Sequence, residues 1–452
     1  FMRWRGFRGY SFLKRWFHLT AFTVAFLISW HNFSNTILYF SKSKMSDEIV
    51  ACVLMLCANR AEATRNHLDH LTRLRPSPKQ FPIVISQDGN NEAVADIIDN
   101  FINKTRYLHH IQHTRVDLWP KLKPYQKGYY FIAQHYKWAL DYVFLSLNYT
   151  HVIITEEDLD IADDFFSYFT ALKPLFAMDS TVWCISAWND NGGKEITNRS
   201  SPMLWRTDFF PGLGWMMHVN VWRELRDSWP ERFWDDWMRT PEVRKGRACI
   251  RPEVSRTAHN AKLAGKGTSG LMTKSLVSSV ILPEKKVDFS KVDISYLVKE
   301  RYDEWLAEII SGARKVDDLP SSLLVTNSYV MQYSSPQAWK NFSTTFMLMS
   351  DIRSGMPRTA YYGIVAFHWK GARVFLTPSW LQTEKLMKGE QRQLYDLSWD
   401  KISFVLDRKK LSSNVGNKLF LANALRHRDH LPGPMHAIGQ TNHRLLQLQR
   451  AS

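Results

Sequence analysis

The chain is poor in cysteine and in the motifs that cysteine usually serves. Its four cysteines, Cys52, Cys57, Cys184 and Cys249, form no C-x-x-C pair and show no Cys/His spacing of a structural zinc site. A zinc fold and a disulfide miniprotein are thereby excluded. Acid is scarce relative to base, with 43 Asp and Glu against 59 Lys and Arg and a formal net charge of +16. Such an excess suits nucleic acid only if it covers the fold. Instead residues 1–44 carry seven Lys or Arg and no acid, residues 381–452 carry twelve bases against six acids, and the middle is left at about +3. No nucleic-acid partner is therefore expected. Also missing are an internal repeat, a P-loop, a G-x-S-x-G elbow and a Cys/His nucleophile pairing, so solenoids, P-loop phosphotransfer and covalent hydrolysis lose their sequence support.

What is present is a globular composition. The 452 residues are 45% hydrophobic and 13% aromatic, enough for two domains with a sizeable core. Near the amino end, Phe17 to Trp30 is almost wholly apolar, and after a polar break apolar character returns at Ile37 to Phe40. Together these make a marginal membrane span. Arg3, Arg5, Arg8, Lys14 and Arg15 precede it, against Lys42 and Lys44 behind, which predicts a cytoplasmic amino end and a bulk domain across the membrane. A cleaved signal peptide and a start at Phe1 that is not part of the mature protein are the alternatives, although no A-x-A cleavage pattern follows the run. Sequons at Asn32, Asn103, Asn148, Asn198 and Asn341 add weak support for a secretory-pathway lumen.

Residues 48–57 read as a buried strand, followed by a loop at Asn59-Arg60 and a helix with Leu68, Leu71 and Leu74 at helical spacing. Phe81 to Ser86 is a second strand ending at Gln87-Asp88-Gly89, then helical Glu92 to Phe101, a long helix from about Gly128 to Leu147, and a third strand at His151 to Thr155. Alternating strands and helices predict an α/β, doubly wound and mostly parallel sheet, with ligands at the carboxyl ends of the strands. Those ends carry Arg60, Asp88 and Glu156-Glu157-Asp158. From about Val287 to Ser379 the texture shifts to short β-like runs, including Tyr329 to Tyr333 and Gly363 to His368, which predicts a smaller α+β domain. The organisation expected is a tail, anchor and stem at 1–44, a catalytic domain at 45–285, the smaller domain at 286–380, and a basic, weakly structured tail at 381–452 with a Pro432-Gly433-Pro434 break.

Three acids in a row at the end of an apolar strand repel one another unless something compensates them. A divalent cation such as Mn²⁺ or Mg²⁺ is one compensation, and strand alternation would turn Glu156 and Asp158 to one side and Glu157 to the other. A helix N-cap cluster ahead of Asp163-Asp164 is the other reading. In Phe233-Trp-Asp-Asp-Trp-Met-Arg239 two carboxylates stand between two indoles. Indoles suit sugar faces and a carboxylate beside them suits a general base, while core tryptophans with surface aspartates remain the alternative. Gly265-Lys-Gly-Thr-Ser-Gly270 spells G-x-G-x-x-G without a strand before it, so a phosphate-side loop or a plain linker fits better than a dinucleotide fingerprint. His109, His110 and His113 read as a solvated polar loop rather than a metal site.

These residues, together with Phe81-Pro-Ile-Val-Ile-Ser-Gln-Asp88, His135-Tyr-Lys-Trp-Ala-Leu140, Trp183-Cys-Ile-Ser-Ala-Trp-Asn-Asp190, Arg206-Thr-Asp-Phe-Phe-Pro-Gly-Leu-Gly-Trp215 and Ser354-Gly-Met-Pro-Arg358, resemble the N-acetylglucosaminyltransferase I family from about Ile49 to Pro378. The resemblance implies a GT-A fold, a UDP-N-acetylglucosamine donor and Mn²⁺. It also implies inverting β-1,2 transfer to a terminal mannose of N-glycans, by a single-pass type II Golgi membrane protein with its catalytic domain lumenal. Carried over by position, Asp158 resembles the metal ligand and Asp235 the catalytic base. Arg60, Asp88, His135, Glu156, Glu157 and Trp234 fall on the donor side, with Thr268 and Ser269 in a loop that orders over the donor. Cys184 and Cys249 resemble a family disulfide. This chain departs from the family in having Glu157 where the acidic motif usually has Asp. It has Gly89 where a Cys is usual, leaving Cys57 without its partner, and the tail beyond Trp380 lacks a counterpart. The related O-mannose N-acetylglucosaminyltransferases share the Glu156 to Ile161 run, but Arg206-Thr-Asp-Phe-Phe and the uninterrupted Phe-Trp-Asp-Asp-Trp favour the N-glycan enzymes. A catalytically inactive sugar-binding paralogue is the alternative from another class, which the retained Asp158 and Asp235 disfavour.

Overall fold

The structure is a computed structural model that describes residues 48–264, 276–389 and 395–400. The apolar run at Phe17 to Phe40, the loop with Thr268 and Ser269, and residues 401–452 lie outside the described residues. Among the described residues no helix is long and apolar enough to cross a membrane.

The order along the first part is β1 (Cys52–Cys57), α1 (Ala61–Leu74), β2 (Ile83–Asp88), α2 (Glu92–Lys104), β3 (Leu108–His113), α3 (Pro124–Asp141), β4 (His151–Glu156), β5 (Leu159–Ile161) and α4 (Phe165–Leu172). It continues through β6 (Val182–Ser186), β7 (Leu204–Thr207), β8 (Trp215–His218), α5 (Val219–Leu225), α6 (Trp234–Met238), β9 (Ala248–Pro252) and β10 (Thr257–His259). Every residue of β1 is buried. Its alternation divides them between two cores: Val53, Met55 and Cys57 face one cluster with Phe81 and Phe165, and Cys52, Leu54 and Leu56 face another with Tyr136 and Trp215. A strand apolar on both faces belongs in the middle of a sheet covered by helices on each side.

That sheet has eight strands in the order β3-β2-β1-β4-β8-β6-β9-β7. The α/β class holds, but the sheet is mixed: β8 runs antiparallel to β4 and β6, and β7 runs antiparallel to β9. The reversals come in the second half, where β7 and β8 lie in one stretch without a long crossover helix between them. The four parallel strands β3, β2, β1 and β4 bring His113, Asp88, the β1–α1 turn and Glu156 to one edge. A second reading also changes: His109, His110 and His113 form β3 rather than a polar loop. His110 Nε2 meets Gln87 Oε1 at 3.0 Å and His113 is buried, because an edge strand satisfies polar side chains against its one neighbour.

The later part begins with α7 (Lys299–Ser311) and contains a four-stranded sheet, β11 (Arg314–Lys315), β12 (Ser328–Tyr333), β16 (Ala372–Pro378) and β15 (Val365–Trp369) in that spatial order, with the hairpin β13 (Ile352–Arg353) and β14 (Met356–Pro357) beside it. Helix α8 (Pro336–Thr345) starts on Ser335, whose hydroxyl accepts from Ala338 N. The two parts share buried surface, since Tyr361, Ile364 and Phe375 belong to the cluster that holds Met55 and Ile85. The described residues 381–389 and 395–400 differ from a weakly structured tail. Helix α9 (Thr383–Met387) buries Leu386, and Tyr395 donates to Asp208 Oδ2 at 2.7 Å. An apolar anchor and a half-buried phenol gave no periodic signal in so short a stretch.

Cys184 and Cys249 are directly opposite in the β6–β9 pairing and are joined by a disulfide across 65 residues of sequence, with their Cα atoms 4.6 Å apart. Cys52 and Cys57 are free and buried, and burial pushes both thiols far above their ordinary range. Reduction of the 184–249 bridge should therefore destabilise the fold by about 4 kcal/mol in the chain-entropy model. Peptide mapping of protein made in an oxidising compartment should find that pair joined, with Cys52 and Cys57 alkylated only after unfolding; a bridge from Cys57 would contradict the assignment.

Candidate active site

The carboxyl edge of the parallel strands collects the first group. Strand β4 ends at Glu156, and the chain turns at Glu157-Asp158 before β5 begins at Leu159. Because the strand stops there, the expected alternation fails: Glu157 and Asp158 are held together rather than on opposite faces. Arg60, entering α1, donates from Nε to Glu157 Oε1 at 2.8 Å and from Nη1 to Asp158 Oδ2 at 2.7 Å. The same Nη1 donates to the carbonyl of Ala264 at 2.6 Å, so the chain leading to the Gly265–Gly270 segment is fastened at the acidic motif.

The three carboxylates are not alike. Burial, with Asp158's charge adding to it, pushes Glu156 up to about 7, and burial likewise takes Glu157 up to about 7 despite Arg60. Asp158 goes the other way. Burial would raise it, but His259 and Arg60 beside it hold it below the usual carboxylate range. Glu156 is the end of a short relay. The Tyr136 hydroxyl on α3 donates to Glu156 Oε1 at 2.5 Å, and the Tyr136 ring lies 4.3 Å from that of Trp234. Tyr136, Trp234 and Asp235 thus connect the acidic motif to α6.

On α6 the indoles are not a sugar platform. Trp234 and Trp237 are buried, and Trp234 stacks among Trp215 and Trp229 as well as Tyr136. The core alternative holds for the rings, and the carboxylates are what they present. Phe233 before the helix has φ 53, a left-handed conformation costly for a bulky side chain. This turn starts a helix whose first exposed side chain is Asp235, with 45% of its side-chain surface open. Asp236 is more enclosed and ion-pairs with both Arg239 and Arg353.

The second group lies one strand away. His113 Nδ1 is 2.8 Å from Asp88 Oδ1, and Arg115 Nε donates to Asp88 Oδ2 at 2.7 Å. Burial opposes ionisation of Asp88, yet these partners carry it below its ordinary value. His135 Nε2 lies 2.7 Å from Ser86 Oγ, and its ring is stacked 5.5 Å from His113. Burial drops His135 to about 3, so it is a neutral imidazole at neutral pH.

Arg60, Glu156, Glu157 and Asp158 come together, Asp88 and His135 stand beside them, and Trp234 and Asp235 reach them through Tyr136. Sequence reasoning missed four participants: Tyr136, His113, Arg115 and His259. His259 Nε2 is 3.5 Å from Asp158 Oδ2, and hydrogen bonding to that carboxylate raises its pKa. It is placed by β10, which pairs with β5 so that His259 sits opposite Leu159. Nothing in the local sequence around His259 signals that pairing.

Among the described residues, no three His, Cys, Asp or Glu side chains converge as a ready metal cage. Both side-chain polar contacts of Asp158 fall on Oδ2, so Oδ1 has no polar contact among the described residues. One free, ionised carboxylate oxygen fits a hard cation that takes its other ligands from a diphosphate and water.

The arrangement also makes a stability test. Replacing Arg60 by Met strands two buried carboxylates, so denaturant unfolding should show a loss of about 1–3 kcal/mol. Adding Glu157→Gln in the Arg60→Met background should recover part of that loss; no recovery would mean that Arg60 does not compensate the motif.

The model of the GNT-I family matches residues 36–386. An Arabidopsis thaliana protein named alpha-1,3-mannosyl-glycoprotein 2-beta-N-acetylglucosaminyltransferase is 35% identical over 334 residues, 73% of this chain and 73% of that protein. Among solved structures, the mannosyltransferase PcManGT from Pyrobaculum calidifontis in complex with GDP-Man and Mn²⁺ is 16% identical with a TM-score of 0.32, covering 51% of this chain and 66% of that one. S. aureus TarS 1-349 in complex with UDP-GlcNAc is 10% identical with a TM-score of 0.31, covering 57% and 66%. Structural similarity at that level says nothing further about this chain.

Proposed function

This chain belongs to the GNT-I family and is a glycosyltransferase, and on that premise we propose that it moves N-acetylglucosamine from UDP-N-acetylglucosamine to the 2-hydroxyl of an α-1,3-linked mannose on N-glycans. The reaction is inverting: the bond from the anomeric carbon to UDP breaks as the mannose oxygen forms the new β-1,2 bond, and the hydroxyl proton leaves to a base. The observation that carries this reading is the joining of the acidic motif to Asp235 through Tyr136 and Trp234 along one edge.

In this reading Asp235 accepts the mannose proton on the face opposite the departing UDP. Arg60, Asp88 and His135 hold the nucleotide side. His135, kept neutral, offers hydrogen bonding without a charge that would compete with Arg60 or Arg115. Glu156, raised to about 7 and held by the Tyr136 hydroxyl, borders the transferred sugar, and buried Trp234 backs that hydroxyl's ring. Asp158 would hold Mn²⁺ through its free oxygen, and when bound the cation would neutralise charge on the leaving diphosphate. His259 and Arg60 keep that carboxylate ionised and aimed.

We also propose a Golgi membrane location, type II with the catalytic part lumenal. The apolar run with its basic flank, the disulfide, and the exposure of Asn103, Asn148, Asn198 and Asn341 at their sequons support it.

The deciding experiment incubates the protein with UDP-N-acetylglucosamine, Mn²⁺ and a panel of mannose-terminated acceptors, then locates the new linkage. Transfer only to other positions, or donor binding without transfer, would sink the reading. Asp158→Ala should abolish transfer and weaken UDP binding in Mn²⁺, whereas Glu157→Asp should change activity far less; a comparable loss there would place the metal ligand on the wrong acid. Asp235→Asn should lower kcat by roughly 10² to 10⁴ with donor affinity little changed.

A further inference from the structure

We propose that Arg239 is the positioning residue for the base Asp235, and that Arg353 fastens this pair to the β13–β14 hairpin. The proposal rests on the reading of Asp235 as base. Arg239 lies one helical turn beyond Asp235, at the end of α6, and its side chain is buried. Its Nη1 donates to Asp235 Oδ2 at 2.9 Å and to Asp236 Oδ1 at 2.7 Å. Its Nε and Nη2 both donate to the carbonyl of Phe210 at 3.2 Å, and the guanidinium lies 4.5 Å from the centre of the Phe209 ring. A fork held at one end by a backbone carbonyl and pressed on a ring cannot swing, so it fixes the carboxylate at the other end.

The carboxylate needs fixing. Asp235 is nearly half exposed, and among the described residues its hydrogen bonds fall on Oδ2 alone, which leaves Oδ1 as the proton acceptor. An unrestrained exposed aspartate samples several rotamers, and a displacement of about 1 Å from the attacking hydroxyl costs on the order of 10² in rate. Arg239 supplies the restraint.

The fastening continues outward. Arg353, in the β13–β14 hairpin, reaches Asp236 Oδ1 from Nε at 3.4 Å and Asp351 Oδ2 from Nη2 at 3.8 Å. Arg358 pairs with Asp351 at 2.7 Å and with Asp190, and it covers the Phe209 ring 5.1 Å from its centre. Two guanidinia therefore share one phenyl ring, and alternating charges run from Asp235 on α6 to Asp190 after β6. Asp236 is a link in that chain, which explains why it is enclosed where Asp235 is open.

A double-mutant cycle tests this. Arg239→Met should lower kcat about 10²-fold at saturating donor and acceptor, Arg239→Lys should restore part of that, and donor KM should stay within about twofold in both. In the Asp235→Asn background, Arg239→Met should cost nothing further, because a residue that acts only through the base has nothing left to position. Wild-type kcat in Arg239→Met, or losses that multiply in the double variant, would overturn the proposal. Full activity in Asp235→Asn alone would instead overturn the base, and the proposal with it. Should the Arg239 variants fail to fold, Arg353→Met at the partly exposed end is the second arm: kcat three- to tenfold lower with donor KM unchanged supports the outward fastening, and an unchanged kcat refutes it.

Discussion

The rest of the site depends on how one guanidinium divides itself among the acids at the end of β4. Three neighbouring carboxylates at a buried strand end cannot all ionise without a counter-charge. Arg60 meets Glu157 and Asp158 but not Glu156, yet burial outweighs it at Glu157. Asp158, which also has His259, stays ionised below its ordinary value, while Glu156 and Glu157 rise to about 7. The site therefore offers one firmly anionic oxygen donor and two carboxyls that hold or release a proton near neutrality. The strain of crowding is turned into a distinction between groups that the sequence writes as equals.

Arg60 can take this position only because β1 is central. A strand buried on both faces ends under its neighbours, so the first residue free to reach sideways is the one after the turn. The parallel pairing of β1 with β4 then sets Leu56 opposite Glu156 and brings Arg60 to the acids. The same parallel order sets Asp88 and His113 on the next two strands. The second half of the sheet need not be parallel for this, and it is not: β8 and β7 reverse without disturbing the edge that carries the donor side.

Much of this was legible. Continuous apolar runs marked β1, β2 and β4, and the residues just past them were the ones expected to matter. What the linear reading lost were pairings that cross long distances. His113 looked like one of three polar-loop histidines until β3 took its place at the sheet edge, and His259 lies about a hundred residues from Asp158. The strand alternation assigned to Glu157 failed for a local reason, because the strand ends one residue earlier and a turn has no two-residue period. The Trp-Asp-Asp-Trp cluster was half legible: carboxylate chemistry followed from the pattern, but burial of the indoles depends on Tyr136 of α3, Trp215 of β8 and Trp229 beyond α5.

In the proposed reaction the acceptor side is built on a different principle from the donor side. Around Asp158 a surplus of negative charge is left for a cation to complete. Around Asp235 every carboxylate has an arginine partner within the protein, with Arg239 and Arg353 against Asp235 and Asp236, and Arg358 against Asp351 and Asp190. A general base must be held in place before the acceptor arrives, and ion pairs on a rigid ring do this without any ligand. A leaving group that departs with charge needs the opposite, a place whose neutralisation is completed only when the nucleotide is bound. The hairpin β13–β14 supplies Arg353 to that chain of ion pairs, so in the proposed reaction the later part of the molecule helps to hold the base. That is a physical reason for the two parts to share one apolar cluster: relative motion between them would be felt directly at Asp235.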